Sequence, residues 1–228
     1  MNRSGPRFVN LLVLAACASN GFPQQPNAPS DPGRRADIYA IYSLMMTDPK
    51  TSHGPGGNDI YLIAEKTEPG IPAEPCVRVP AGYEDTYREI LADYKARRDQ
   101  PATVERALTI SKPYRLLNGD EAAEFVRSRT IPFPDRARVD PFPGSTDLFR
   151  LGDIYFNRQR TMALTALSSW CGKLCALWSW RVFEKASNGQ WEERRWVGCM
   201  TIARGEGMSH RKSNHRVHRS ALSLTPQG

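Results

Sequence analysis

The residues best equipped for chemistry are cysteines, two of which stand together in Trp170-Cys-Gly-Lys-Leu-Cys175. A thiol pair at close spacing can exchange disulfides or, with further ligands, hold zinc. Cys76 and Cys199 complete a downstream set of four, and Cys17 makes five. A zinc site would need Cys171, Cys175, Cys199 and one of His210, His215 or His218, whose segment has no apolar periodicity. No metal site is expected. Upstream of that segment the one histidine is His53, beside Gly54-Pro-Gly-Gly57. That glycine run lacks the Lys-Ser/Thr of a phosphate loop. Glu65, Glu184, Glu192 and Glu193 fall at strand or turn positions typical of solvated faces. No catalytic residue and no cofactor is assigned.

The cysteine hexapeptide invites comparison with thioredoxin and its Trp-Cys-Gly-Pro-Cys. That chemistry places two residues between the cysteines and holds the thiolate at a helix N-terminus. Here three residues intervene, and Trp178 to Phe183 reads as a strand. No proline follows Pro143 before Pro226, so the cis-proline of that fold has no counterpart. The loop reads as a structural clamp. Four cysteines allow three pairings. The expected one joins Cys171 to Cys175 and Cys76 to Cys199; the alternative sets a loop cysteine against Cys199 on a neighbouring strand.

Cys17 has a different role. Arg3 and Arg7 precede an apolar run from Phe8 to Ala16, the arrangement of an export signal. That run is shorter than the roughly 20 residues a spanning helix needs. Its end, Leu14-Ala-Ala-Cys17, resembles a bacterial lipobox, which implies cleavage before Cys17 and lipidation of its sulfur. The alternative is ordinary cleavage after Ala18. Either route leaves four cysteines in an exported chain, hence an oxidising compartment.

Net charge is +7, but Arg3, Arg7 and the segment from Arg204 to Gly228 carry nearly all of it. The nearly neutral body gives no sign of a nucleic-acid partner. A length of 228 residues with 40% hydrophobic content suits one domain with extensions. The expected organisation is a signal over 1–17, a Pro/Gln-rich linker over 18–35, one domain over 36–203 and a basic, histidine-containing disordered tail over 204–228.

The elements that must position the cysteine loop read as follows. Ile38, Tyr39, Ile41, Tyr42 and Met45 recur at helical spacing, with Asp37 as a candidate cap. Ile60 to Lys66 alternates like a strand. Tyr83, Tyr87, Ile90, Leu91 and Tyr94 form a clear amphipathic stripe. Val104 to Ile110 suits a helix or strand, and Asp120 is placed to cap a short helix through Val126. Ile131 to Ser145, with four prolines, reads as a surface connector. Four runs then follow, Leu148–Phe156, Thr161–Trp170, Ala176–Lys185 and Trp191–Ile202, the last two joined by Asn188-Gly189. Asn-Gly between apolar runs is a strong hairpin signal. These patterns predict an α+β domain: N-terminal helices packed on a C-terminal antiparallel meander sheet. The second run, apolar on both faces, should be its central strand.

Ile154-Tyr-Phe-Asn157, Thr161-Met-Ala-Leu164, the cysteine hexapeptide, Val182-Phe-Glu-Lys185 and Asn188-Gly-Gln-Trp191 together resemble the C-terminal half of uncharacterised bacterial secreted proteins and lipoproteins. The resemblance implies export and disulfides but brings no activity. A weaker similarity, through the Asn-Gly-x-Trp hairpin, is to cystatin-like and NTF2-like folds. The expected function is binding or structure at the cell envelope: a lipid-anchored domain on the periplasmic face of the outer membrane or the cell surface. Its partners would be the membrane, through the anchor, and a protein, peptide or glycan. The alternative is a small NTF2-like hydrolase or isomerase with a pocket above the sheet.

Overall fold

A computed structural model describes residues 31–47, 49, 57–68, 75–130, 140–172, 175–196 and 200–203, the last four by backbone alone. The signal, most of the linker, the tail, all four histidines, Cys17 and Cys199 lie outside the described residues.

The first helix, α1 (Pro32–Thr47), begins before the expected start near Ala36. Its cap is Asp31, whose carboxylate accepts from the amides of Gly33 (2.9 Å) and Arg34 (3.1 Å). A side-chain acceptor at this position satisfies amides that have no partner within the helix, and Pro32 costs no hydrogen bond in the first turn. Asp37 is therefore not a cap. It sits further along the helix and accepts from Lys185 Nζ (2.6 Å) and Trp191 Nε1 (3.0 Å).

Strand β1 (Tyr61–Ala64) and helix α2 (Glu84–Arg97) form where the patterns place them. The segment Val104–Ile110 forms neither helix nor strand, yet Val104 and Leu108 are buried. The strand comes later, as β2 (Tyr114–Leu117), and pairs in parallel with β1. Helix α3 (Gly119–Thr130) is capped by Asn118 rather than Asp120. Asn118 Oδ1 accepts from the Glu121 amide (3.0 Å), and Glu121 Oε2 accepts from the Asn118 amide (3.0 Å). This reciprocal pair is a capping box.

The apolar run 148–156 divides into β3 (Leu148–Leu151) and β4 (Tyr155–Phe156). Two long strands follow, β5 (Met162–Gly172) and β6 (Cys175–Lys185), and then β7 (Trp191–Arg194) and β8 (Met200–Ala203). Together they form one eight-stranded sheet in the order β2-β1-β3-β5-β6-β7, with β4 also on β5 and β8 also on β6. Strand β5 is central, as its two apolar faces require. The expectation of a purely antiparallel sheet is corrected at the front. β1 pairs in parallel with both β2 and β3, while β3 to β8 are antiparallel. The Asn188-Gly189 turn links β6 to β7 with Gly189 at φ +82°.

Alternation along the strands decides which helix each face receives. Ile63, Phe149, Ala163, Leu167 and Phe183 face Ile41, Tyr42, Met45 and Met46 of α1. On the opposite face Met162, Leu164, Ala166, Trp180 and Val182 receive Tyr87, Ile90 and Tyr94 of α2. Leu62, Ala64 and Leu148 receive Ala122 and Phe125 of α3. Tyr94 is fully buried, with edge-on contacts to Tyr155 (5.0 Å between centroids) and Trp180 (5.8 Å). Such pairs add about 0.5–1.5 kcal/mol each beyond the area they bury. At Gly152, just past β3, the chain presses against β5: a Cβ there would lie 3.0–3.1 Å from Ala166 main-chain atoms. That contact with fixed backbone requires glycine.

Candidate functional site

An open cleft of about 320 Å³ lies at one end of the sheet. Gly57 and Asp59 reach it from just before β1, and Asp140 and Gly144 to Thr146 from just before β3. Arg129 enters from the last turn of α3, and Cys171 from the far end of β5. Since β5 runs antiparallel to β3, the cysteine end of the long hairpin meets the starting ends of the parallel strands.

Arg129 ties the walls together. Its Nη2 donates to Asp140 Oδ2 (2.8 Å), to the Ser145 carbonyl (2.9 Å) and, at 3.4 Å, to the Phe142 carbonyl. Its guanidinium lies 5.4 Å from the Phe125 ring centroid. Its Nε is buried and has no hydrogen-bond partner among the described residues. A cation here also opposes the negative end of the α3 dipole. Burial works against a charge on Asp140, but the Phe142 amide and Arg129 outweigh it and hold the carboxyl below its ordinary range. Gly144 has φ +76°, and a Cβ there would lie 3.4 Å from Asp59 Cβ, so the loop passes Asp59 closely. The Asp59 amide donates to the Gly144 carbonyl (2.7 Å).

Beneath the cleft is a buried polar network. Asn58 Oδ1 accepts from Ser145 Oγ (3.0 Å), the Thr146 amide (2.8 Å) and the Asp147 amide (3.1 Å). Asn58 Nδ2 donates to Asp147 Oδ2 (2.8 Å), which also receives Thr146 Oγ1 (2.8 Å). Asp147 is fully buried. Of the expected surface connector, Asp140, Pro141, Pro143 and Gly144 are exposed as expected, while Phe142 and Ser145 turn inward. The partner of Ser145, 87 positions away at Asn58, left no mark in the sequence.

The cleft offers two carboxylates, a guanidinium and hydroxyls on a rigid floor. These groups suit hydrogen bonding to a polar ligand. Cys171 and Cys175 are bonded to each other, with Cα atoms 5.2 Å apart, as the sequence led us to expect. Cys76 is held in a disulfide of its own. Among the described residues no group of three or more His, Cys, Asp or Glu is placed to hold a metal ion.

The other ionisable cluster joins α1, α2 and β4. Asp93 accepts from Arg97 Nε (2.8 Å) and Nη2 (3.0 Å), from Arg34 (3.3 Å) and from the Phe156 amide (2.9 Å). Burial opposes its charge, but these donors win, and its carboxyl is held below the ordinary value of 3.8. Asp153, 3.7 Å from Arg97 Nη1, moves the other way: burial dominates and pushes it up despite Arg97 and Arg34. Signs follow from linkage. Asp93 contributes stability above pH values near 3.8 that is lost as pH falls through its lowered pKa. Asp153 contributes below that value and loses its contribution as pH rises through its raised pKa. Asp93→Asn should therefore cost about 2 kcal/mol near neutrality, with the deficit shrinking in acid. Asp153→Asn should leave neutral stability equal or higher. Urea unfolding between about pH 3 and pH 7 checks both signs.

Three of the glutamates singled out in the sequence lie beside arginines: Glu184 pairs with Arg194 (2.6 Å), Glu192 lies 3.7 Å from Arg194, and Glu193 lies 3.6 Å from the buried Arg181. Tryptophans 180 and 191 are core residues, and Trp178 stacks edge-on against Trp180. Compared with family models, curated proteins and solved structures, the chain matches none.

Proposed function

We propose that this is an exported domain, tethered to the envelope through a lipidated Cys17, which binds a protein, peptide or glycan rather than acting as an NTF2-like pocket enzyme. The observation that carries the binding reading is the filling of both sheet faces. An NTF2-like pocket enzyme needs a cavity between helix layer and sheet. Here Tyr94, Ile90 and Tyr155 occupy one such layer, and Ile41, Met45 and Phe183 the other. Among the described residues an open cleft lies at the sheet's end, between Arg129 and Asp140, where a polar ligand would dock. In this reading β3 to β8 are the C-terminal meander on which the helices rest, and Cys199 is the partner of Cys76. Export draws support from the Cys171–Cys175 disulfide, because such bonds persist in oxidising compartments. It draws support too from the resemblance to bacterial secreted proteins and lipoproteins.

Fractionation of producing cells tests the tether. The full chain should partition with membranes, and Cys17→Ser should move it to the soluble fraction; unchanged partitioning would sink the lipid anchor. Peptide and glycan arrays probed with the detergent-purified chain test the binding. A ligand retained by the parent and lost by an Arg129→Ala/Asp140→Ala variant supports the cleft. A ligand that both bind equally places recognition elsewhere.

A further inference from the structure

Cys171 is part of the wall of the cleft, and both bonded cysteines are partly exposed. A disulfide that serves only to hold a fold is usually enclosed by what it holds. This one sits where the strands no longer need it. Inside the bridge, β5 and β6 are paired residue by residue from Met162–Glu184 to Trp170–Ala176. At the same end β3 braces β5 through Leu148–Trp170, and β8 braces β6 through Ala176–Ala203. The cysteines are four positions apart, so the bond closes a loop too short to restrain much of the unfolded chain. The bond is therefore accessible from the cleft and dispensable to the sheet.

A second feature favours Cys171, the bonded cysteine that lines the cleft, as the sulfur reached from it. The next residue is Gly172, at φ +143°, whose missing side chain would face the Arg129 carbonyl at 3.8 Å. The backbone thus carries no side chain between Cys171 and the last turn of α3. Arg129 places its guanidinium in the same cleft, where a cation favours Cys171 as the leaving thiolate in the step that releases it from a mixed disulfide.

We propose that the Cys171–Cys175 bond is an exchangeable cystine whose co-reactant is a dithiol. A thiolate of the dithiol attacks Cys171 Sγ from the cleft, forming a mixed disulfide, and the Cys171–Cys175 bond breaks with its electron pair going to Cys175 Sγ. The second thiol then attacks the mixed disulfide at the co-reactant's sulfur and displaces Cys171 as thiolate. In sum two electrons and two protons pass to the cystine, and the dithiol leaves as its disulfide. Reversal reoxidises the chain. This activity does not rest on the binding reading, and either can fail without the other.

The test incubates the folded full chain with glutathione buffers of increasing reduced-to-oxidised ratio and quenches with an alkylating reagent. Peptide mass spectrometry then scores each cysteine, while near-ultraviolet circular dichroism follows tertiary packing in the same samples. The expected result is opening of Cys171–Cys175 with packing intact and the Cys76 bond still closed. Glutathione trapped during opening should sit on Cys171 at least about tenfold more often than on Cys175, a ratio equivalent to one pK unit of preference. Opening that occurs only together with loss of packing overturns the proposal, and so does equal trapping on the two sulfurs. A Cys171→Ser/Cys175→Ser variant supplies the control: it should keep the parent's circular dichroism, and collapse of that signal would show that the bond is needed by the fold and refute its exchangeability.

Discussion

Cys76→Ser is expected to lower the unfolding free energy by about 4 to 5 kcal/mol, the chain-entropy value for a bridge enclosing roughly a hundred residues. Cys76 is disulfide-bonded, and with Cys171 and Cys175 bonded to each other we place its partner at Cys199. That bridge would span 76 to 199, more than half of the chain. By the same relation the Cys171–Cys175 closure contributes about 2 kcal/mol at most. A chain of this size loses about 2–4 °C of melting temperature per kcal/mol, so the Cys76 variant should melt at least ~8 °C lower. The loop double variant should fall by well under half as much. Peptide mapping without reduction decides the connectivity. A fragment joining Cys76 to Cys199 supports it, and one joining Cys76 to Cys17 would overturn both the pairing and the lipid anchor.

Asn58→Leu should be comparably severe, at about 3–5 kcal/mol, the range for removing one member of a buried, charge-bearing hydrogen-bond network. Leucine has the same branching and heavy-atom count as asparagine and is bulkier, so the loss would not come from a cavity. It would strip Asp147 of its amide donor and leave the Thr146 and Asp147 amides without the carbonyl that receives them. Asn58→Asp separates this cause from packing. It sets a second carboxylate where Nδ2 stood, 2.8 Å from Asp147 Oδ2. Like charges at that distance do not both ionise cheaply. The Asp variant should therefore recover stability as the pH falls toward the carboxylate range, and the Leu variant should not. Parallel pH dependence in the two variants would show that the electrostatic account is wrong. Denaturant titration at a few pH values provides the measurement.

Legibility in the sequence tracked the range of the interaction. The Tyr83–Tyr94 stripe, the Asn188-Gly189 hairpin and the two-faced strand β5 are written in local periodicity, and each appears in the fold. The caps were misplaced by six residues in α1 and two in α3, because Asp31 and Asn118 stand before helices whose apolar pattern starts later. β2 escaped notice because Tyr114-Arg-Leu-Leu117 is too short to alternate clearly, and its identity as a strand comes from β1 alongside it. The parallel pairs at the sheet's front are long-range by nature, and no local pattern announces them. The cleft was least visible: Arg129 ends a helix, Asp140 follows a proline-rich run, and only the fold brings them together with Cys171. The cysteine pair alone was evident from spacing.

The contacts of Asp37 with Lys185 and Trp191 have a consequence for the order in which the protein is made. They join positions 148 and 154 residues apart. Helix α1 leaves the ribosome, or a membrane pore, long before the strands that receive its apolar side. Until β3, β5, β6 and β7 have followed, Ile41, Met45 and Met46 lack most of the surface they cover, and a lone helix of 16 residues is marginal in water. Vectorial delivery therefore holds the growing chain unfinished, with the first element produced among the last to settle. Contacts so distant along the chain also slow folding once it begins. Under the export proposed above, a chain that must stay pliable while threaded through a narrow passage would gain from having its last strands complete the seat of this helix.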